Sequence, residues 1–173
     1  MRKLVWLLLP ASVLALDLGS KAWILRLLRE EQSLPVIKGF FSLTLGFNRG
    51  AIFGSLTWLP DTARYILFAV AGLVALVYFG RLFLADETPT WDRVCLGLIL
   101  GGALGNGIDR ILRGAVVDFL DFYVTNLNFL SLHVREWHYW IFNVADSFIL
   151  VGAVLFGLRM LRASRLEQKV KEN

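Results

Sequence analysis

Two short runs in this chain set an acid inside apolar sequence: Gly-Ala-Val-Val-Asp118-Phe and Phe-Asn-Val-Ala-Asp146-Ser. A carboxylate close to lipid is costly to keep, so its presence points to function. If Asp118 and Asp146 face each other, burial and like-charge repulsion split their titration and leave one proton shared. In such a pair, one carboxylate takes a proton from water while the other carboxylic acid gives one to a scissile carbonyl.

Other polar residues fall in similar positions. Asp17 and Lys21 are four apart, the spacing of a pair on one helical face. Asn106-Gly-Ile-Asp109 and Asn143-Val-Ala-Asp146 are both Asn-x-x-Asp, which is expected to place amide and carboxyl on one face of a helix. An amide there can satisfy a carboxyl that burial would otherwise leave unpaired. Arg110 or Arg113 is placed to pair Asp109 or Asp121, whereas Asp118 and Asp146 have no obvious cation in sequence. Plainer roles are expected elsewhere. Asp17 with Lys21 reads as a structural ion pair, Asp109 with Arg110 as a hinge of hydrogen bonds, and Asp121 as a solvated acid. His133 and His138 flank Trp137 without metal-ligand spacing, which reads as interfacial solvation. Gly101, Gly102 and Gly105 suit close helix packing, and the lone Cys95 suits packing rather than a disulfide or nucleophile.

The elements that must position these residues are membrane helices. Hydrophobic residues are 57% of the chain and mean hydropathy is +0.61, which is the composition of an integral membrane protein. Four segments are long and apolar enough to cross about 30 Å of hydrocarbon: roughly Leu4 to Leu25, Ala63 to Leu84, Val94 to Leu112 and Trp140 to Leu161. The first has Arg2 and Lys3 before a leucine-rich stretch but no clear small-residue cleavage site, so it reads as a retained anchor. The tryptophans fall near the predicted span ends. An even number of spans puts both termini on one side. Arg2, Lys3 and the basic tail of Arg159, Arg162, Arg165, Lys169 and Lys171 make that side the cytoplasm, and mark anionic lipid rather than nucleic acid as the neighbour.

On this topology every polar group above converges at one depth, near the outer leaflet, together with Asn48. The first outer loop, about Glu30 to Asp61, holds an alternating run, Phe40-Phe-Ser-Leu-Thr-Leu-Gly-Phe, which predicts a small β-structure on the membrane surface. The second, about Gly114 to Tyr139, is expected to hold a short amphipathic helix or lid. The fold expected is thus an all-α integral membrane protein of one domain, residues 1–173, with four transmembrane helices and these two extracytoplasmic pieces.

Five ordered runs resemble one family, the lipoprotein signal peptidases or signal peptidase II. They are Asp17-Leu-Gly-Ser-Lys21, Asn48-Arg-Gly-Ala-Ile-Phe-Gly54, Gly101-Gly-Ala-Leu-Gly-Asn106-Gly-Ile-Asp109-Arg110, Gly114-Ala-Val-Val-Asp118-Phe and Phe142-Asn-Val-Ala-Asp146-Ser. The resemblance implies an aspartic endopeptidase of the bacterial cytoplasmic membrane that cleaves prolipoproteins just before a diacylglyceryl-modified cysteine. It implies Asp118 and Asp146 as the catalytic dyad. Asn48, Gly50, Asn106, Asp109, Arg110, Asn143 and Ala145 would line or support the site, and Asp17 and Lys21 would be structural. It further implies no metal and inhibition by the cyclic lipopeptide globomycin; no other cofactor is expected, and the chain is expected to be a monomer with membrane lipids as its neighbours.

Two other classes use intramembrane acids. A proton or ion carrier needs carboxylates stepped across the bilayer, but here they cluster at one interface. A metal-dependent lipid phosphotransferase needs several carboxylates around Mg²⁺ with cationic phosphate binders in the same run, and a chelator would expose it.

Overall fold

The protein is described by a computed structural model covering residues 2–49, 59–129 and 132–172. A short helix α1 (Arg2–Trp6) leads into α2 (Leu8–Leu27). A hairpin of β1 (Ser33–Ile37) and β2 (Phe41–Asn48) follows. Next come α3 (Asp61–Leu84), α4 (Thr90–Arg113), β3 (Val116–Phe129), β4 (Leu132–His138) and the long α5 (Val144–Glu172). Four helical stretches, Leu4–Leu27, Thr62–Leu84, Thr90–Arg113 and Val144–Arg165, are long and apolar enough to cross a membrane. Helices of about 20 residues reach about 30 Å, the thickness of the hydrocarbon layer.

Helix α4 packs against α2, α3 and α5, so the outer three turn large apolar side chains such as Leu73, Val74, Leu150 and Leu158 away from the protein. In water such a surface would be unstable, and in lipid it is the ordinary exterior. Close approach at the centre depends on small residues. A Cβ on Gly105 would collide with the Asp17 carboxylate, so α2 and α4 can meet at this depth only because position 105 lacks one.

The sheet differs from expectation. No helix forms between α4 and α5 among the described residues. That stretch is the antiparallel pair β3 and β4, which extends the first hairpin into one four-stranded sheet in the order β1-β2-β3-β4. Both faces of β3 are used: Val117 and Phe119 join Ile24, Leu28 and Leu45 in a core between α2 and the sheet, while Asp118 and Asp121 are also buried. A strand buried on both faces loses the simple apolar–polar alternation that reveals a strand in sequence. The fourth span, in α5, also starts later than expected, at Val144, because Phe142 is tied to β3. Its carbonyl accepts from the N–H groups of Phe119 (3.0 Å) and Leu120 (2.7 Å), and its own N–H donates to Leu120 (3.1 Å).

Candidate active site

Three devices bring the polar residues together. The C-terminal part of α2, the C-terminal part of α4 and the N-terminus of α5 lie at the same end of the bundle, beneath the sheet. Helix α4 ends at Gly114, whose φ of 70° is the left-handed conformation that favours glycine, and its N–H closes the last turn on the Arg110 carbonyl at 3.0 Å. The chain then reverses into β3, carrying Asp118 back over the helix end. The pinning of Phe142 to β3 sets the next residue, Asn143, beside Asp118.

Asn143 is not on the same helical face as Asp146, as its spacing suggested. It is the N-cap of α5. Its Oδ1 accepts from the Asp146 backbone N–H (2.9 Å), and Asp146 Oδ2 accepts from the Asn143 backbone N–H (3.2 Å), which is a capping box. Asp17 Oδ1 accepts from the Ala145 N–H at 3.0 Å, so a second carboxylate sits at the same helix N-terminus, where the helix dipole favours negative charge. Ala145 itself is fully buried.

One half of the site is ionic. Lys21 Nζ lies 2.7 Å from Asp17 Oδ2 and 2.9 Å from Asp109 Oδ2, and Arg113 lies 2.6 Å from Asp109 Oδ1. Asp109 Oδ2 also accepts the Val117 N–H at 3.1 Å. Asp109 therefore pairs with Arg113 and Lys21 rather than with Arg110, correcting the expected hinge. The Arg110 guanidinium instead lies over the Phe68 ring, 5.5 Å from its centre.

The other half is held by amides. Asn143 Nδ2 donates to Asp118 Oδ1 (2.7 Å), Asn48 Nδ2 to Asp118 Oδ2 (3.0 Å), and Asn106 Nδ2 to Asp146 Oδ1 (2.7 Å). Asn143 Nδ2 also reaches Asn106 Oδ1 at 3.1 Å, joining the two acids through two side-chain amides. Asp118 is almost wholly buried. Burial first, and then the neighbouring Asp146 carboxylate, push its carboxyl up to about 7 against the N–H donors and Lys21 that oppose the shift. An acid that holds its proton near neutrality beside a second carboxyl can carry out general acid–base chemistry.

All the proposed site residues except Gly50 thus meet at one end of the bundle, and Gly50 lies outside the described residues. Two residues were read too plainly. Asp121 is buried rather than solvated, accepting from Thr44 Oγ1 (2.8 Å) and lying 2.9 Å from His138 Nδ1, and His138 is correspondingly engaged rather than merely interfacial. The pairing crosses from β2 to β3 to the end of β4, which no local spacing could reveal.

Comparison with known proteins decides the family. The profile of Signal peptidase (SPase) II matches residues 9–162. The chain belongs to the signal peptidase II family. Lipoprotein signal peptidases from Pseudomonas putida, Xylella fastidiosa and Neisseria meningitidis serogroup C are similar to it. The first is 37% identical, covering 98% of this chain and 94% of that one. The second is 38% identical, covering 96% and 93%, and the third 41% identical, covering 87% and 84%. A solved bacterial membrane enzyme, determined by the in meso method at 2.3 Å, superposes with a TM-score of 0.74 at 28% identity, covering 92% of this chain and 89% of that one. The protein is a multi-pass bacterial membrane peptidase of the aspartic type that removes signal peptides from prolipoproteins.

Proposed function

We propose that Asp118 and Asp146 are the catalytic dyad of this signal peptidase, with Asp118 holding the proton at rest. The observation that carries this reading is the linked pair of carboxyls held by Asn48, Asn106 and Asn143 with no cation in hydrogen-bond contact among the described residues. Asp146 sits in the first turn of α5, where the helix dipole and two N–H donors suit a carboxylate. It takes a proton from the attacking water, while Asp118 gives its proton to the carbonyl oxygen. The amides keep both acids in place without neutralising them, as a preorganised site requires.

The substrate is a precursor carrying a diacylglyceryl-modified cysteine, cut just before that cysteine. A cleft of about 170 Å³ between α3 and α4, lined by Phe68, Ala69, Gly72, Ala103, Gly107 and Arg110, adjoins the site through Arg110, and its mostly apolar lining suits apolar substrate chains. The site faces the outer leaflet of the cytoplasmic membrane, both termini are cytoplasmic, and the chain works as one monomeric domain. Asn48, Gly50, Asn106, Asp109, Arg110, Asn143 and Ala145 line or support the site, and globomycin competes for it. The test is cleavage of a lipid-modified precursor by Asp118→Asn and Asp146→Asn in membranes. Each is expected to lose at least about 10³-fold in rate, with thermal unfolding as the folding control, and EDTA leaves the parent enzyme fully active. Normal processing by either folded variant refutes the dyad.

A further inference from the structure

We propose that Lys21 is a positioning residue of the dyad, acting through Asn106: its ammonium holds the Asn106 amide oxygen and so aims the amide N–H at the Asp146 carboxylate. The proposal rests on the dyad reading above and goes beyond the structural role expected of Lys21.

Lys21 is 1% exposed, and its three N–H groups meet three acceptors: Asp17 Oδ2, Asp109 Oδ2 and, at 2.9 Å, Asn106 Oδ1. Two of these are carboxylates, which is enough for charge balance. The third is the link to the reacting groups. An ammonium can only donate, so the oxygen end of the Asn106 amide must face it. The nitrogen end then faces Asp146 Oδ1 at 2.7 Å. The other amide is fixed in the same way, because Asn143 Oδ1 takes the Asp146 backbone N–H and its Nδ2 is thereby turned to Asp118 and Asn106. The hydrogen bonds run in one direction, from Lys21 to Asn106 to Asp146. Without the ammonium, the Asn106 oxygen keeps only the longer bond from Asn143 Nδ2 (3.1 Å), a group that also serves Asp118, so the amide is less firmly held with its N–H toward Asp146.

The test is a double-mutant cycle on the full chain, with a lipid-modified precursor as substrate. Lys21→Met keeps side-chain length but has no donor. It is expected to lower kcat about 100-fold while changing KM less than about threefold, the pattern of a lost transition-state interaction. Asn106→Leu is expected to lower kcat by a similar factor. If Lys21 acts through Asn106, combining the two lowers kcat no more than about threefold below Asn106→Leu, whereas independent effects multiply to about 10⁴-fold. If Lys21→Met alone does not fold, Asp17→Asn combined with Lys21→Met removes one charge of each sign and leaves the Asp109–Arg113 pair intact. It is expected to show the same kcat loss with the same small change in KM. Wild-type kcat in either folded Lys21 variant, or losses that multiply, overturns the proposal while leaving the dyad intact. Normal cleavage by Asp146→Asn overturns the dyad itself.

Discussion

The two halves of the polar cluster hold their acids with different chemistry, although Asp17, Asp109 and Asp118 are all buried and Asp146 is half-buried. Asp17 and Asp109 face Lys21 and Arg113, so two negative charges meet two positive ones within 3 Å. Asp118 and Asp146 receive N–H groups from neutral asparagines and from the backbone, and they lie close enough for each to feel the other's charge. A cation in contact stabilises the ionised form and turns an acid into a helix tie. An amide orients a carboxyl without neutralising it, so one proton stays available for exchange. Burial alone therefore does not identify the reactive aspartates, and the donors around them do.

Asn143 is where the contrast is easiest to break, because it caps α5 and donates to both Asp118 and Asn106. Asn143→Ala is expected to lower kcat by about 10²- to 10³-fold and to cost about 1 kcal/mol of stability as a lost N-cap. Steady-state kinetics beside thermal unfolding will separate the two, and a stability loss with normal kcat would make Asn143 only a cap.

The pH profile is a milder probe. Asp118 has its carboxyl raised to about 7 from 3.8, so its native state binds the proton more tightly than the unfolded chain does. Any stability it contributes is complete below pH 3.8 and is lost as pH rises through about 7. Activity is expected to fall over the same upper range as the general acid is lost, by about tenfold per pH unit once past the midpoint. In Asp118→Asn the loss of stability between about pH 4 and about pH 7 should disappear, and melting curves at the two pH values check it. An unchanged slope would move the titrating group elsewhere.

Much of this arrangement was legible in the sequence, for reasons that can be named. The four spans follow from hydropathy, and the Asp17–Lys21 pair follows from a spacing of four on a helix. The Asn-x-x-Asp repeat was visible, but only in α4 does it lie within a helix. At 143–146 it precedes an apolar run, which is a capping signature, and the local pattern carried that signal. The β3 strand was hidden because both of its faces are covered and alternation is lost. The choice of Asp118 over Asp109 rested on resemblance alone, since Asp109 takes its second cation, Lys21, from a different helix. That contact supplies the missing physical reason: Asp109 is paired with two cations, and Asp118 has none in contact among the described residues.

The central claim is that the amide-held acids react and the cation-held ones do not. The direct measurement is the cleavage rate of a lipid-modified precursor by Asp118→Asn and Asp109→Asn, compared at equal amounts of folded enzyme. The account predicts that Asp118→Asn falls at least about 10³-fold. Asp109→Asn, though it loses on the order of 3 kcal/mol of stability by leaving the buried Lys21 short of a charged partner, stays within about tenfold of the parent rate. The reverse ranking, with Asp109→Asn inactive and Asp118→Asn close to normal, would contradict it.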